Sequence, residues 1–185
     1  MCDIMGGLMG KLLIVGAGGH GRCSAEIARR MNKFDKISFI DDNLLEAIGK
    51  IDELEKFVGE YQCAFVAIGN NKLREKICHN VRKLGFELVN LIDPLSFQSI
   101  DASYGEGCIF FPFSVVESNS KLGDGVIVCA NVVINHDAIV NSYSLINSNS
   151  TIRPNACLGQ KVKIGSNYLV KFGEIINDDE EVGKF

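Results

Sequence analysis

Apolar residues recur at every sixth position along the C-terminal half of the chain. Steps of six from Tyr104 to Val182 reach fourteen residues, all apolar: Tyr104, Phe110, Val116, Leu122, Val128, Ile134, Val140, Ile146, Ile152, Leu158, Ile164, Val170, Ile176 and Val182. In a chain that is 46% hydrophobic, chance gives such a run in one frame with a probability of roughly 10⁻⁵. The period is therefore a structural signal.

A second register supports the first. Four residues after the apolar anchors stand mostly small residues: Cys108, Ser114, Ser120, Val126, Val132, Ala138, Ser144, Ser150, Ala156 and Val162. A period of six fits neither a helix nor a long flat strand, but it fits a short strand and a corner repeated around a prism, with three hexads per coil. We expect both registers to point inward in a parallel β-helix of a little over four coils. We also expect positive φ angles at the Gly and Asn residues just after the anchors, such as Gly105, Gly123 and Gly165.

The N-terminal half shows a different pattern, in which strands alternate with helices. We predict a leader at residues 1–10, followed by alternating elements: a strand at 11–15, a helix at 22–31, strands at 37–40 and 64–68 with a short helix at 52–58 between them, a helix at 73–84, and a fourth strand at 87–92. Such alternation implies a small parallel sheet flanked by helices, half of a Rossmann fold. Asp93-Pro94 ends the last strand, so we predict a sheet domain at residues 11–94 and a β-helix domain at 95–185.

Charge and composition exclude several classes of partner. The net charge is −4 without a basic block, so nothing favours nucleic acid or an anionic membrane surface. No apolar run is long enough to span a bilayer and no secretory signal precedes the first strand, so we expect a soluble, cytoplasmic protein. The seven cysteines form no CxxC pair and are odd in number, which indicates reduced thiols and argues against a disulfide framework or a zinc knuckle.

The glycine-rich loop after the first strand is the first candidate site. Gly16, Gly18 and Gly21 satisfy G-x-G-x-x-G between a strand and a helix, and Asp41 follows twenty residues after Gly21. Small residues there let backbone amides approach a phosphate, and the helix N-terminus adds partial positive charge. A diphosphate is the predicted ligand; the alternative is a glycine turn needed only for packing. Four strands leave no place for the nicotinamide of NAD, which favours a nucleotide-sugar, with an NAD enzyme as the other possibility.

His136 is the second candidate, because it is the only one of three histidines that lies in the hexads. It follows the anchor Ile134 by two places, so it faces outward. Imidazole suits proton transfer near neutral pH, and the adjacent carboxylate of Asp137 favours the protonated ring and so makes it a stronger base. The pair predicts a general base with its modulator. The alternative is an inert surface histidine.

Several motifs resemble one family of sugar acyltransferases. Hexads such as Leu122-Gly123-Asp124-Gly125 resemble those of hexapeptide-repeat acyltransferases. The N-terminal domain resembles that of the sialic-acid O-acetyltransferases and of the N-acetyltransferases that act on UDP-linked 4-amino-sugars, and four segments carry this likeness: Gly16-Ala17-Gly18-Gly19-His20-Gly21, Phe39-Ile40-Asp41-Asp42, Ala67-Ile68-Gly69-Asn70-Asn71 with Arg74, and Gly85-Phe86-Glu87-Leu88-Val89-Asn90-Leu91-Ile92.

The resemblance implies a fold, an activity and a set of site residues. It implies a left-handed β-helix, a homotrimer with active sites between neighbouring prisms, acetyl-CoA as cosubstrate, and a role in glycan biosynthesis. His136 would act as base and Asp137 as its modulator. Six residues would contact the nucleotide-sugar: Gly18, Gly19, His20, Asp41, Asp42 and Gly69. Of these, Asp41 and Asp42 would accept hydrogen bonds from ribose or base groups. His20 would either donate to a phosphate or only order its loop.

Two features of the sequence separate the chain from possible relatives. Zinc enzymes with the same prism, the γ-class carbonic anhydrases, need three histidines, and the hexads contain one, so no metal site is predicted. Amino-sugar acetyltransferases of the family carry a second histidine, implicated in acetyl-CoA contact, nine residues after the catalytic one, where this chain has Leu145. A catalytically silent nucleotide-sugar-binding or scaffold protein is therefore the second functional hypothesis.

Overall fold

The structure is a computed structural model that describes residues 10–44 and 47–185. Except for Gly10, the predicted leader lies outside the described residues. The first part is a four-stranded parallel sheet in the order β2-β1-β3-β4. Its strands are β1 (Lys11–Val15), β2 (Lys36–Ile40), β3 (Cys63–Val66) and β4 (Glu87–Leu88), and its helices are α1 (Gly19–Met31), α2 (Asn71–Lys83) and a 3₁₀ helix (Ile51–Phe57).

Both α-helices begin earlier than the sequence predicts, because their first turns carry no apolar periodicity. Helix α1 begins within the glycine loop, with Gly18 as its N-cap. Helix α2 begins after Asn70, whose side chain accepts a hydrogen bond from the amide of Leu73 at 3.0 Å. Capping by an Asn side chain satisfies one of the amides that a helix N-terminus leaves unpaired. The cap therefore sets the start of α2.

The fourth predicted strand divides between the two parts of the molecule. Strand β4 ends at Leu88, whereas Leu91–Ile92 forms β5, which pairs with the coil. Asn90 makes the connection, because its side chain accepts from the amide of Cys108 at 2.8 Å and donates to the carbonyl of Gly105 at 2.9 Å. Predicting one strand over 87–92 was wrong, and the coil starts before the predicted boundary at residue 95.

Sixteen short strands form a triangular parallel β-helix with three faces. Face 1 contains β5 (Leu91–Ile92), β8 (Ile109–Phe110), β11 (Ile127–Val128), β14 (Leu145–Ile146), β17 (Lys163–Ile164) and β20 (Glu181–Val182). Face 2 contains β6 (Phe97–Gln98), β9 (Val115–Val116), β12 (Val133–Ile134), β15 (Thr151–Ile152) and β18 (Leu169–Val170). Face 3 contains β7 (Ser103–Tyr104), β10 (Lys121–Leu122), β13 (Ile139–Val140), β16 (Cys157–Leu158) and β19 (Ile175–Ile176).

Both predicted registers point into the prism. The anchors from Phe110 to Ile176 form one buried cluster with the small residues. Four buried serines satisfy their hydroxyls by donating to backbone carbonyls inside the coil: Ser114, Ser120, Ser144 and Ser150. The predicted fold class, a half-Rossmann sheet followed by a parallel β-helix, is confirmed. The coil is longer than predicted, about five turns, because Gln98 is polar and hides the first turn from the apolar pattern.

The corners use glycine differently from the prediction. Positive φ angles fall three residues after the anchors, at residues such as Asn131 (58°) and Asp137 (63°), and not at Gly123 or Gly165. Gly123 is required for a different reason: a Cβ there would lie 2.5 Å from the backbone nitrogen of Ser142 on the next coil. The glycines just after the anchors therefore permit close stacking of successive corners.

The sheet domain packs on face 1 of the coil. One buried cluster joins the sheet and α1 to the first four outward residues of face 1, which are Leu91, Ile109, Ile127 and Leu145. Faces 2 and 3 do not take part in this cluster. The docking therefore fixes which corners of the prism lie near the sheet domain.

Candidate active site

The glycine loop has an open edge and a packed edge. An added Cβ would meet nothing within 4 Å at Gly18 or Gly19, whereas at Gly21 it would lie 2.0 Å from the carbonyl oxygen of Gly16. Gly21 is thus needed for packing of helix on strand. The amides at the open edge start a 13-residue helix without an acidic residue in its first turn, which suits a negatively charged ligand.

Two carboxylates lie at the end of β2. Asp41 accepts hydrogen bonds from the backbone amides of Ala17 at 2.8 Å and Asn43 at 2.9 Å, which lower the pKa of its carboxyl. Asp42 accepts from the amide of Ile51 at 3.0 Å. Asp41 therefore ties the glycine loop to the second strand, and each carboxylate retains lone pairs for a ligand hydroxyl.

His20 lies in the first turn of α1 and faces the coil. Its ring stacks on Phe111, with ring centroids 5.9 Å apart and an angle of 21° between the planes. Burial, with a contribution from the charge of Arg74, lowers the pKa of His20 to about 4. Its Nε2 atom is buried without a hydrogen-bond partner among the described residues. The ring is thus neutral near pH 7, and its unsatisfied Nε2 must become exposed before it can bond a ligand.

Gly69 lies at the end of β3, where an added Cβ would also meet nothing within 4 Å. Its carbonyl accepts from Arg74, which also donates to the carbonyl of Ile68 at 2.9 Å. Arg74 is 1% exposed and donates to the coil as well, at the carbonyls of Gly125 (2.9 Å) and Tyr143 (2.6 Å). The sequence singled out Arg74 only as part of a motif; the structure shows that it fixes the Gly69 loop to the coil.

Gly69 also lines a cleft of about 210 Å³ between α2 and the coil. The charged side chains around it pair with each other, as in the contacts of Lys72 with Asp179 at 3.2 Å and of Lys163 with Glu181 at 3.7 Å. The lysines that line the cleft are therefore engaged in ion pairs, unlike the open amides of the glycine loop.

His136 lies on the corner between β12 and β13, with 54% of its side chain exposed. Its Nδ1 atom is 2.7 Å from Oδ2 of Asp137, and its backbone amide donates to Glu117 at 2.9 Å. Hydrogen bonds from His136 and then Asn119 lower the pKa of the Asp137 carboxyl, which stays ionised. In the neutral ring the Nδ1 hydrogen faces Asp137, so the lone pair of Nε2 is available to accept a proton.

Within one chain the two groups of predicted residues lie at different edges of the prism. The sheet domain covers face 1, and His20 contacts the corner between faces 1 and 2 through Phe111. His136 and Asp137 lie on the corner between faces 2 and 3, opposite face 1. Face 2 separates the candidate base from the glycine loop.

Three further observations bear on the predictions. Leu145 is 9% exposed and packs with the sheet domain, so an apolar contact occupies the position where family members have a second histidine. In residues 10–44 and 47–185, no three His, Cys, Asp or Glu side chains are grouped to hold a metal ion. No helix in this described part of the chain is long and apolar enough to cross a membrane.

Comparisons with known proteins agree with this architecture. Residues 11–81 match the sequence family described as the PglD N-terminal domain. The acetyltransferase domain of PglB from Neisseria gonorrhoeae FA1090 is 30% identical, with a TM-score of 0.87 over 91% of this chain and 85% of that one. A structure of the same domain with acetyl coenzyme A is 32% identical, with a TM-score of 0.72 over 92% and 94% of the two chains.

A third structure is PerB from Caulobacter crescentus in complex with CoA and GDP-perosamine. It is 26% identical, with a TM-score of 0.66 over 95% of this chain and 92% of that one. The fold and these comparisons define an acyltransferase built on a parallel β-helix of hexapeptide repeats. The chain belongs to the hexapeptide-repeat sugar acyltransferase family, and it is a sugar acetyltransferase.

Proposed function

We propose that this protein transfers the acetyl group of acetyl-CoA to an amino or hydroxyl group of a nucleotide-activated sugar, with His136 as general base. The exposed imidazole held by Asp137 at 2.7 Å carries this proposal. The PglB domain and PerB, which have been crystallised with acetyl-CoA or with CoA and a nucleotide-sugar, support the choice of substrates.

The reaction needs no acyl-enzyme. The acceptor nitrogen or oxygen attacks the thioester carbonyl while Nε2 of His136 takes the proton that the acceptor loses. The new bond to carbon forms, the carbon–sulfur bond breaks, and the CoA thiolate leaves with a proton returned by the imidazolium. Asp137 stabilises that imidazolium during the transfer, because its carboxylate stays ionised.

The sheet domain would hold the nucleotide-sugar. The open edge at Gly18 and Gly19 offers helix amides to the diphosphate, and Gly69 leaves equal space at the neighbouring strand. Asp41 and Asp42 lie at the end of β2, where ribose or base groups would reach their remaining lone pairs. Neutral His20 supplies one further hydrogen bond.

A homotrimer would bring the separated groups together. The outward residues of face 2 form a stripe that is apolar except at Thr151, and Phe97 and Leu169 are 58% and 53% exposed. The stripe runs along stacked strands: Phe97, Val115, Val133, Thr151 and Leu169. If three copies present face 2 to a threefold axis, the His136 corner of one copy lies against the His20 corner of the next. The two corners stand one coil apart in height, about 5 Å.

Replacing His136 by Ala tests the chemistry. We expect kcat for thiol release from acetyl-CoA with amino-sugar nucleotides to fall by at least about 10²-fold, the usual size of general-base catalysis. His79→Ala is the matched control, because His79 is an exposed histidine on α2. A His136→Ala variant with near-wild-type turnover would contradict the role of His136. Wild-type protein that binds the nucleotide-sugar and never releases thiol would support the silent binding protein.

A further inference from the structure

The candidate base rests on the corner one coil before it. Three contacts join residues 117–119 to residues 136–137: the His136 amide donates to Glu117, the Asp137 amide donates to the carbonyl of Ser118 at 3.2 Å, and Nδ2 of Asn119 donates to Oδ1 of Asp137. The two corners are thus joined through both backbone and side chains. This platform is formed within one chain, whatever covers face 2.

Asn119 extends the histidine pair into a chain of three residues. The Asp137 carboxylate uses Oδ1 for Asn119 and Oδ2 for the His136 ring. A carboxylate held at both oxygens cannot rotate about its last torsion, so the hydrogen bond to the ring keeps its direction. Both Asn119 and Asp137 have positive φ angles, 58° and 63°, which direct their side chains along the stack of corners.

A second corner of the coil has the same kind of amide hydrogen bond between successive coils, which we call an amide ladder, but no histidine. Asn131 also has a φ angle of 58°, and its Nδ2 atom donates to Oδ1 of Asn149 at 3.1 Å, one coil later. Like Asn119, Asn131 is exposed. The chain therefore provides two matched amide ladders, and only the ladder from Asn119 ends on the residue that orients His136.

We propose that Asn119 is a positioning residue for acetyl transfer, because it fixes the Asp137 carboxylate in the orientation that holds Nδ1 of His136. This inference rests on the proposed function of His136. Asn119 acts through Asp137 and does not itself need to touch substrate. Its loss should therefore lower kcat and leave the Michaelis constants for acetyl-CoA and the nucleotide-sugar unchanged.

Paired glycine substitutions test the proposal. Glycine accepts the positive φ angle without strain. Asn119→Gly is therefore compared with Asn167→Gly, which replaces an exposed corner asparagine (φ 55°) two coils beyond the level of His136. We expect kcat of Asn119→Gly to fall about tenfold, the effect of losing one hydrogen bond to a charged group, with both Michaelis constants within about twofold of wild type. We expect Asn167→Gly to keep wild-type kcat. Equal kcat values for the two variants would overturn the proposal.

An aspartate at the same position sharpens the test. Asn119→Asp keeps the shape of the side chain but turns a carboxylate toward Asp137, so we expect a larger loss of kcat than for the glycine variant. Wild-type kcat in Asn119→Asp would also overturn the proposal. His136→Ala is assayed in parallel: if it stays active, the proposed function fails, whereas an inactive His136→Ala with equal glycine variants refutes only the role of Asn119.

Discussion

Face 1 and face 2 of the coil have similar sequences and different surroundings. In both, the outward position before the anchor is mostly apolar, as in Ile109 and Ile127 on face 1 and Val115 and Val133 on face 2. The first four outward residues of face 1 are buried by the sheet domain, whereas Phe97 at the start of face 2 is 58% exposed. An outward apolar register indicates a contact in either case. On face 1 the contact lies within the chain, and on face 2 we propose that it is with another copy.

The two faces also contribute differently to the proposed active site. Face 1 meets the sheet domain through a contact completed inside one chain, and the buried Arg74 joins the Gly69 loop to the adjoining corner of the coil. Face 2 runs from the edge near His20 to the edge that carries His136, so a partner on face 2 would complete the site. A substitution in the face 2 contact should therefore change assembly and activity, whereas one in the face 1 contact should change the free energy of unfolding.

The largest effect is expected from Val133→Glu, at the middle of face 2. In a trimer three carboxylates would converge near the axis, and like charges in an interface cost several kcal/mol. We expect the dissociation constant to rise by at least about 10³-fold, equivalent to about 4 kcal/mol, and activity to fall with the loss of trimer. Sedimentation velocity and thiol release measure both.

Lys121→Glu on face 3 is the control for this experiment, because Lys121 is exposed and its position already carries a charge on a face that does not point to the proposed axis. It should sediment and turn over like the wild type. A fully active wild-type monomer at micromolar concentration, or an unchanged trimer in Val133→Glu, would contradict the role proposed for face 2.

The sequence predicted the coil because its core repeats strictly, and it missed features that depend on polar residues. Asn90 and Gln98 begin the coil without an apolar signal, so the sequence places residues 91–94 in the sheet domain and not in the coil. His136 and Asp137 are adjacent in sequence and could be predicted as a pair. Asn119 lies eighteen residues before Asp137, the length of one coil, so applying that period to polar residues would have found it. The contacts of Arg74 could not be predicted, because they depend on how α2 docks on the corners.

Arg74→Met tests the contact between the sheet domain and the coil. Methionine keeps much of the length of the side chain but leaves the carbonyls of Gly125 and Tyr143 without their donor. We expect the free energy of unfolding to fall by about 3 kcal/mol, since each buried unsatisfied group costs about 1–3 kcal/mol. Denaturant titrations at equal protein concentration measure the change.

Arg82→Met is the matched control on the same helix. Arg82 also reaches the coil, with Glu106 and Asp124 as partners, but its side chain is 39% exposed. Exposed ion pairs contribute at most about 1 kcal/mol, so this variant should stay close to wild type. Equal losses in the two variants would show that burial does not decide the strength of the face 1 contact.

The smallest effect is expected from His20, which lies where the covered face meets the open one. Burial lowers the pKa of His20 to about 4 in the folded chain, against an ordinary value of about 6.5. Between these values the unfolded chain binds the proton and the folded chain does not, so stability is complete above pH 6.5 and falls as the pH approaches 4. We expect His20 to cost about 1 kcal/mol of stability between pH 7 and pH 5.5. In His20→Gln, the unfolding free energy should not show this decrease between pH 7 and pH 5.5. If wild type and variant lose the same amount, the ring is solvated and the edge of face 2 is open to water.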